Sequence, residues 1–149
     1  MKIIVDTNIV FSAILNSNSR IGKILLHSKD HFQFFTCSYL KVEIQRHRNK
    51  LLKITKLTEE LLLELEELVT QHITFIDERL IPQDLLIKTE AQLKSIDPDD
   101  TVFVALTKHL EGKLWTGDMQ LYNGLKAKRF KDIILTSELS LLLDDLEQG

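Results

Sequence analysis

Four acidic residues fall where surface charge is a poor explanation for them. Asp6 ends the apolar run Lys2-Ile-Ile-Val5, and a carboxylate at the tip of a buried strand is costly unless it faces a cleft, a metal or a partner. Asp118 follows Leu114-Trp-Thr-Gly, Asp100 closes Asp97-Pro-Asp-Asp, and Glu43 sits in the turn that carries Leu40, Val42 and Ile44. Gathered in one place, these groups could not all ionise without a compensating cation. Oxygen ligands with no Cys or His among them favour Mg2+ or Mn2+ over Zn2+. Such an ion suits the hydrolysis of phosphate esters, because it activates a water and neutralises charge on the phosphoryl oxygens. It would also reconcile an acidic pocket with a polyanionic substrate.

Each acid has a plainer reading. Asp6 or Thr7 could simply cap the next helix. Asp97-Pro98 is a good cap followed by proline at the first helical position, with Asp99 and Asp100 complementing the helix dipole. Glu43 could lie on a helix surface and pair with His47 four residues on. Asp118 could be a turn residue after Gly117. Only joint placement would make these acids a site, and that depends on the elements that carry them.

Lys2 to Val5 is too short for a helix and rich in β-branched residues, as in a strand buried on both faces of a parallel sheet. Thr7 to Leu15 has helical spacing, Asn16 to Ser19 is a loop, and Ile21 to Ser28 forms a second helix. Phe32 to Thr36 reads as a strand. Ser38 then caps one long helix to about Leu52. A further helix opens at Thr58 and runs to about Thr70, with Leu61, Leu62, Leu65, Leu68 and Val69 as its core stripe and Glu64, Glu66 and Glu67 solvated. Ile73 to Ile76 is a third strand, and Pro82 begins a helix over Gln83 to Lys94. The helix from Asp97 ends near Leu110, where Gly112 stops it. Lys113 to Thr116, Met119 to Lys128, Ile133 to Leu135 and Ser137 to Leu146 complete the alternation. Strands alternating with helices predict an α/β fold, a three-layer α/β/α sandwich around a mainly parallel central sheet. In such sheets the cleft lies beyond the carboxyl ends of the strands. Asp6 and Asp118 would then share one rim, with the helix start at Asp100 pointing at it.

With 149 residues, 44% hydrophobic and 28% charged, the composition is that of an ordinary globular protein, and residues 1–149 read as one domain. The net charge of −3 favours no partner class, since local patches matter more than the sum. Cys37 is the only cysteine, so no intrachain disulfide can form and a cytoplasmic setting is expected. The amino terminus reads as neither signal peptide nor membrane span.

Three stretches together resemble the PIN-domain ribonucleases: Ile3-Ile-Val-Asp-Thr-Asn8, Ser38-Tyr-Leu-Lys-Val-Glu-Ile44, and Asp97 to Leu106 with Leu114-Trp-Thr-Gly-Asp118. The match runs over essentially the whole chain, and the tail is similar to a bacterial branch related to the VapC-like toxins of toxin–antitoxin pairs. The resemblance implies an endoribonuclease dependent on Mg2+ or Mn2+. Its catalytic acids would be Asp6, Glu43, Asp100 and Asp118, with Asp6, Asp100 and Asp118 on the metal. Thr7, Asn8 and Thr116 would be polar neighbours that orient ligands or waters. Asp100 is chosen over Asp99 because it precedes Val104-Ala105 at the family spacing, while Asp97 is either an outer acid or only the cap. An RNA substrate, an antitoxin protein and a homodimer are the partners this kinship implies, with no membrane.

Two basic runs follow the site-bearing segments, and either could attract RNA phosphates. Arg46, Arg48 and Lys50 belong to the first, and Lys126, Lys128 and Arg129 to the second. His27 and His31 have zinc-compatible spacing but no further ligand nearby, and Trp115 reads as core. The competing reading is a non-catalytic protein-interaction module in which the acids are caps and surface charges. A phosphatase with an aspartyl nucleophile is disfavoured because Thr7-Asn8 lacks an aspartate two positions after Asp6.

Overall fold

The computed structural model describes residues 1–149. Its centre is a five-stranded, wholly parallel sheet of β1 (Lys2–Val5), β2 (Gln33–Cys37), β3 (Ile73–Ile76), β4 (Lys113–Trp115) and β5 (Ile133–Ile134), in the order β3-β2-β1-β4-β5. The chain winds outward from β1 in one direction to β2 and β3, then in the other to β4 and β5. The point where the direction reverses lies between β1 and β4, where open parallel sheets form their clefts.

The strand period of two divides the core. Ile3 and Val5 face α1 (Thr7–Leu15), α2 (Arg20–His27), α3 (Tyr39–Arg46), α4 (Arg48–Thr55), α5 (Glu59–Thr70) and α9 (Thr136–Gln148), while Ile4 faces α6 (Gln83–Leu93), α7 (Thr101–Leu110) and α8 (Met119–Ala127). All three of these strand residues are fully buried. Covered on both faces, β1 needs the unbroken apolar sequence that it has. The expected three-layer α/β/α arrangement is therefore the observed one.

Several local expectations are corrected. The long helix after Ser38 is two helices, broken at His47. No Gly or Pro marks the break, and tertiary contacts define it. The His47 ring meets Phe11 of α1 edge-on at 5.3 Å between centroids, and Arg48 turns to Glu66 of α5, Nη2 to Oε2 3.1 Å. Glu66 is thus buried rather than solvated, and the inward stripe of α5 runs through Leu62, Glu66 and Val69, leaving Leu61 and Leu68 exposed. The left-handed residue that ends α7 is Glu111, with φ 56°, rather than Gly112. Gly112 is required for space instead: a Cβ there would lie 2.5 Å from Ile4 Cδ1 and 2.8 Å from the Lys2 carbonyl oxygen. No helix is long and apolar enough to cross a membrane.

Candidate functional site

β1 ends at Val5, and the next residue turns the chain into α1. Asp6 has extended backbone, and its Oδ1 accepts the Ile9 N–H at 3.0 Å, so it does cap α1. It is also 97% buried in a place where no basic side chain pairs with it. Asp118 plays the same double part after β4, its Oδ1 accepting from the N–H groups of Gln120 and Leu121 at 3.0 and 3.1 Å. Asp118 Oδ2 takes no protein hydrogen bond, and the Asp6 carboxylate has the Thr116 hydroxyl as its one further hydrogen-bonding neighbour. Capping and a role in a site therefore coexist, because the helix N–H groups engage only Oδ1 of each carboxylate.

The third arm is the 3₁₀ turn Pro98–Asp100 that leads into α7. Asp97 caps it, Oδ1 accepting from the Asp99 N–H at 3.1 Å. Asp97, Asp100 and Asp118 each offer a carboxylate oxygen within 4.8 Å of the other two. Opposed ligands of a Mg2+ ion lie about 4.2 Å apart, so little adjustment separates this group from a coordination sphere. Asp6 lies outside that group of three but close enough for its charge to act on Asp100. Asp99 is exposed.

On the other side of the rim, Glu43 of α3 is half-buried, and its Oε1 accepts from the Thr7 hydroxyl at 2.6 Å. Thr116 is fully buried; its hydroxyl oxygen accepts the Asp118 N–H at 3.1 Å and lies beside Asp6. Asn8 is exposed and borders a concavity of about 210 Å³ with Phe11, His47 and Lys50.

The pKa values of Asp6 and Asp100 are shifted by burial and by the charges of neighbouring acids. Burial pushes the Asp6 carboxyl up to about 6, offset in part by the Thr116 hydroxyl and the Ile9 N–H, with Asp118 and Glu43 adding to the rise. Asp100 is pushed up to about 8, first by burial and then by the charges of Asp97, Asp6 and Asp118. The three ion pairs of the molecule are Arg48–Glu66, Arg79–Asp77 and Lys113–Asp132, and none involves a site acid. A clustered set of carboxylates without a protein cation is the donor chemistry of a divalent metal ion.

The basic residues separate. Arg46 and Lys50 stand near Glu43 and Asn8, whereas Arg48 is taken up by Glu66. Asp118 starts α8, so Lys126, Lys128 and Arg129 lie at its other end, roughly 12 Å or more along the axis. Lys128 Nζ donates to the Gln92 carbonyl at 2.5 Å and to Ser95 Oγ at 3.2 Å. The sequence reading missed the helix break at His47, which carried no local signal. Asp97, for which the sequence leaves open an outer acid or only a cap, both caps the turn and lies in the acid group. Cys37 is buried, and burial pushes its thiol up to about 12, which leaves it unreactive. A concavity of about 660 Å³ between α2, α5 and α9 shares no residue with the acids.

A parallel sheet with an acidic rim at its reversal point has a counterpart among known families. The PIN-domain family model matches residues 4–138, and the chain belongs to that family. PIN domains are generally nucleases and typically use divalent metals. Among solved structures, the chain resembles one in the crystal structure of VapBC2 from Rickettsia felis bound to a DNA fragment from their promoter. The TM-score is 0.68 at 18% identity, over 91% of this chain and 97% of that one, a likeness of fold. No curated protein matches the chain significantly.

Proposed function

We propose that the chain is a single-domain, metal-dependent endoribonuclease that hydrolyses RNA phosphodiester bonds, of the kind found as the toxin of a toxin–antitoxin pair. The observation that carries this reading is the acid group at the β1/β4 reversal point, which has no protein cation to balance it. Asp100, Asp118 and Asp6 would hold Mg2+ or Mn2+, with Asp97 contributing to the same group. When bound, the ion supplies a more acidic water and positive charge for the phosphoryl oxygens. The chain's own residues do the rest. The α1 and α8 amino ends fix one oxygen of Asp6 and Asp118, so each carboxylate is aimed before any ligand arrives. Glu43, oriented by Thr7, would accept a proton from an attacking water. Kinship to toxin-type PIN proteins makes a small antitoxin and a second copy of the chain the expected protein partners.

Incubation of the purified protein with labelled single-stranded RNA tests this. Cleavage should require added Mn2+ or Mg2+, cease with a chelator and return when the ion is restored. Undiminished RNA in the presence of the ions, together with no heat of Mn2+ binding by calorimetry, would replace the nuclease with a non-catalytic interaction module.

A further inference from the structure

The break at His47 separates two arginines into different environments. Arg48 opens α4 and turns inward, its side chain 19% exposed and paired with Glu66. Its charge is already neutralised. Arg46 closes α3 and is exposed. It makes no ion pair, although Glu43 is only three residues earlier on the helix. The reason is that both are otherwise engaged: Glu43 is held by Thr7, and Arg46 Nη1 donates to the Tyr39 hydroxyl at 2.9 Å, with its guanidinium carbon 5.7 Å from the ring centroid.

Tyr39, Glu43 and Arg46 follow at spacings of four and three, so they share one face of α3. Tyr39 is half-buried against the α6–α8 core layer, and its backbone N–H donates to Glu78, which fixes the start of the helix. A flexible arginine is thereby tethered by a neutral partner that consumes none of its charge. Four of the five guanidinium N–H groups remain undirected, suited to the fork geometry of a phosphate.

We infer that Arg46, aligned by Tyr39 on the Glu43 face of α3, binds a backbone phosphate of single-stranded RNA beside the acid group. This rests on the nuclease reading and extends it by naming where the substrate backbone is held. Arg46 pairs with none of the acids, so its charge stays available to a phosphate. Tyr39 is a positioning residue: it presets the guanidinium and reduces the side-chain entropy lost on binding.

The test uses an Asp118→Asn background, to prevent cleavage, and a short fluorescein-labelled RNA of mixed sequence followed by anisotropy over a range of salt concentrations. Arg46→Ala should weaken binding about fivefold to tenfold at low salt. It should also reduce the slope of log affinity against log salt by about 0.7, one phosphate contact on a single strand. Arg46→Lys should keep the slope, and Tyr39→Phe should weaken binding about twofold to threefold with the slope unchanged, because the charge stays and only its tether is lost. Thermal unfolding of each variant reports whether the fold is kept. An Arg46→Ala slope equal to that of the background protein would overturn the assignment of Arg46 while leaving the nuclease reading standing. Failure of the background protein itself to bind RNA would remove both.

Discussion

Asp6 and Glu66 are both buried carboxylates, 3% and 8% exposed, in one small domain, and their surroundings have opposite character. Glu66 lies on the seam between α4 and α5, where Arg48 meets it at 3.1 Å. Burial raises its pKa and the Arg48 guanidinium pulls it back, although Oε1 is left without a donor. Asp6 lies at the sheet rim, where the other charges that act on it are acids. The first arrangement joins two helices and has its counter-charge within the protein. The second is costly in the protein alone, and the cost is removed only by something positive that comes from outside. A buried charge with an internal partner is read as architecture, and one without is read as a binding site.

The largest expected effect breaks the comparison at the rim. Asp118→Asn should lower the rate of RNA cleavage on the order of a thousandfold or more. Its unfolding curve should be unchanged or shifted to higher stability, since Asn caps α8 as well as Asp does. Cleavage at the native rate by purified Asp118→Asn would take this residue out of the mechanism.

At the seam the signs reverse. Arg48→Ala leaves Glu66 buried and unpaired, and should destabilise the protein by about 3 kcal/mol in urea titration. Replacing both partners, Arg48→Met with Glu66→Leu, should recover most of that loss, because the pair mainly offsets its own desolvation. A single-variant cost well under 1 kcal/mol would reduce the pair to an ordinary surface ion pair.

This contrast also explains what could be read from the residues alone. β1 was legible because a strand covered on both faces needs an unbroken apolar run, and Lys2 to Val5 ends at an acid that both caps α1 and faces the rim. The shared rim of Asp6 and Asp118 followed from parallel strands, and the helix start at Asp100 from Asp97-Pro98. Pairing at the seam was hidden. Glu66 has the type and neighbours of a solvated helix residue, and its partner is 18 residues away on another helix. The His47 break was hidden for the same reason, being made by Phe11 and Glu66 rather than by any breaker residue. Gly112 was recognised as special, but for the wrong cause, since a close approach to Ile4 and Lys2 leaves no local signature.

pH sharpens the comparison. The Asp6 carboxyl rises from an ordinary 3.8 to about 6, so between those values the folded protein holds a proton that the unfolded chain has lost. Stability of the metal-free protein should therefore increase as pH falls from about 7 to about 4, with Asp6 accounting for about 3 kcal/mol. Asp100, raised to about 8, acts in the same direction and begins at higher pH. Asp6→Asn should be more stable than the parent at pH 7.5 in chelator, and the difference should vanish near pH 4. Urea midpoints at intervals across this range measure it. Equal stability at pH 7.5 would show the Asp6 charge to be compensated within the protein, as that of Glu66 is by Arg48.

The smallest effect separates two aspartates that are two residues apart. Asp97 and Asp99 lie in the same turn with the same charge, so long-range attraction of a cation treats them almost alike. Only Asp97 brings an oxygen within 4.8 Å of those of Asp100 and Asp118, while Asp99 faces solvent. If coordination governs, Asp97→Asn should weaken Mn2+ binding about tenfold by calorimetry, equivalent to about 1.4 kcal/mol. The cap on the Asp99 N–H should persist, because an amide oxygen can accept it. Asp99→Asn should change affinity less than twofold, since an exposed charge is screened by water and salt. Equal losses from the two variants would mean that the rim attracts the ion as a diffuse negative field. A loss confined to Asp97 would identify a coordination site, the quality that distinguishes the rim acids from the internally paired Glu66.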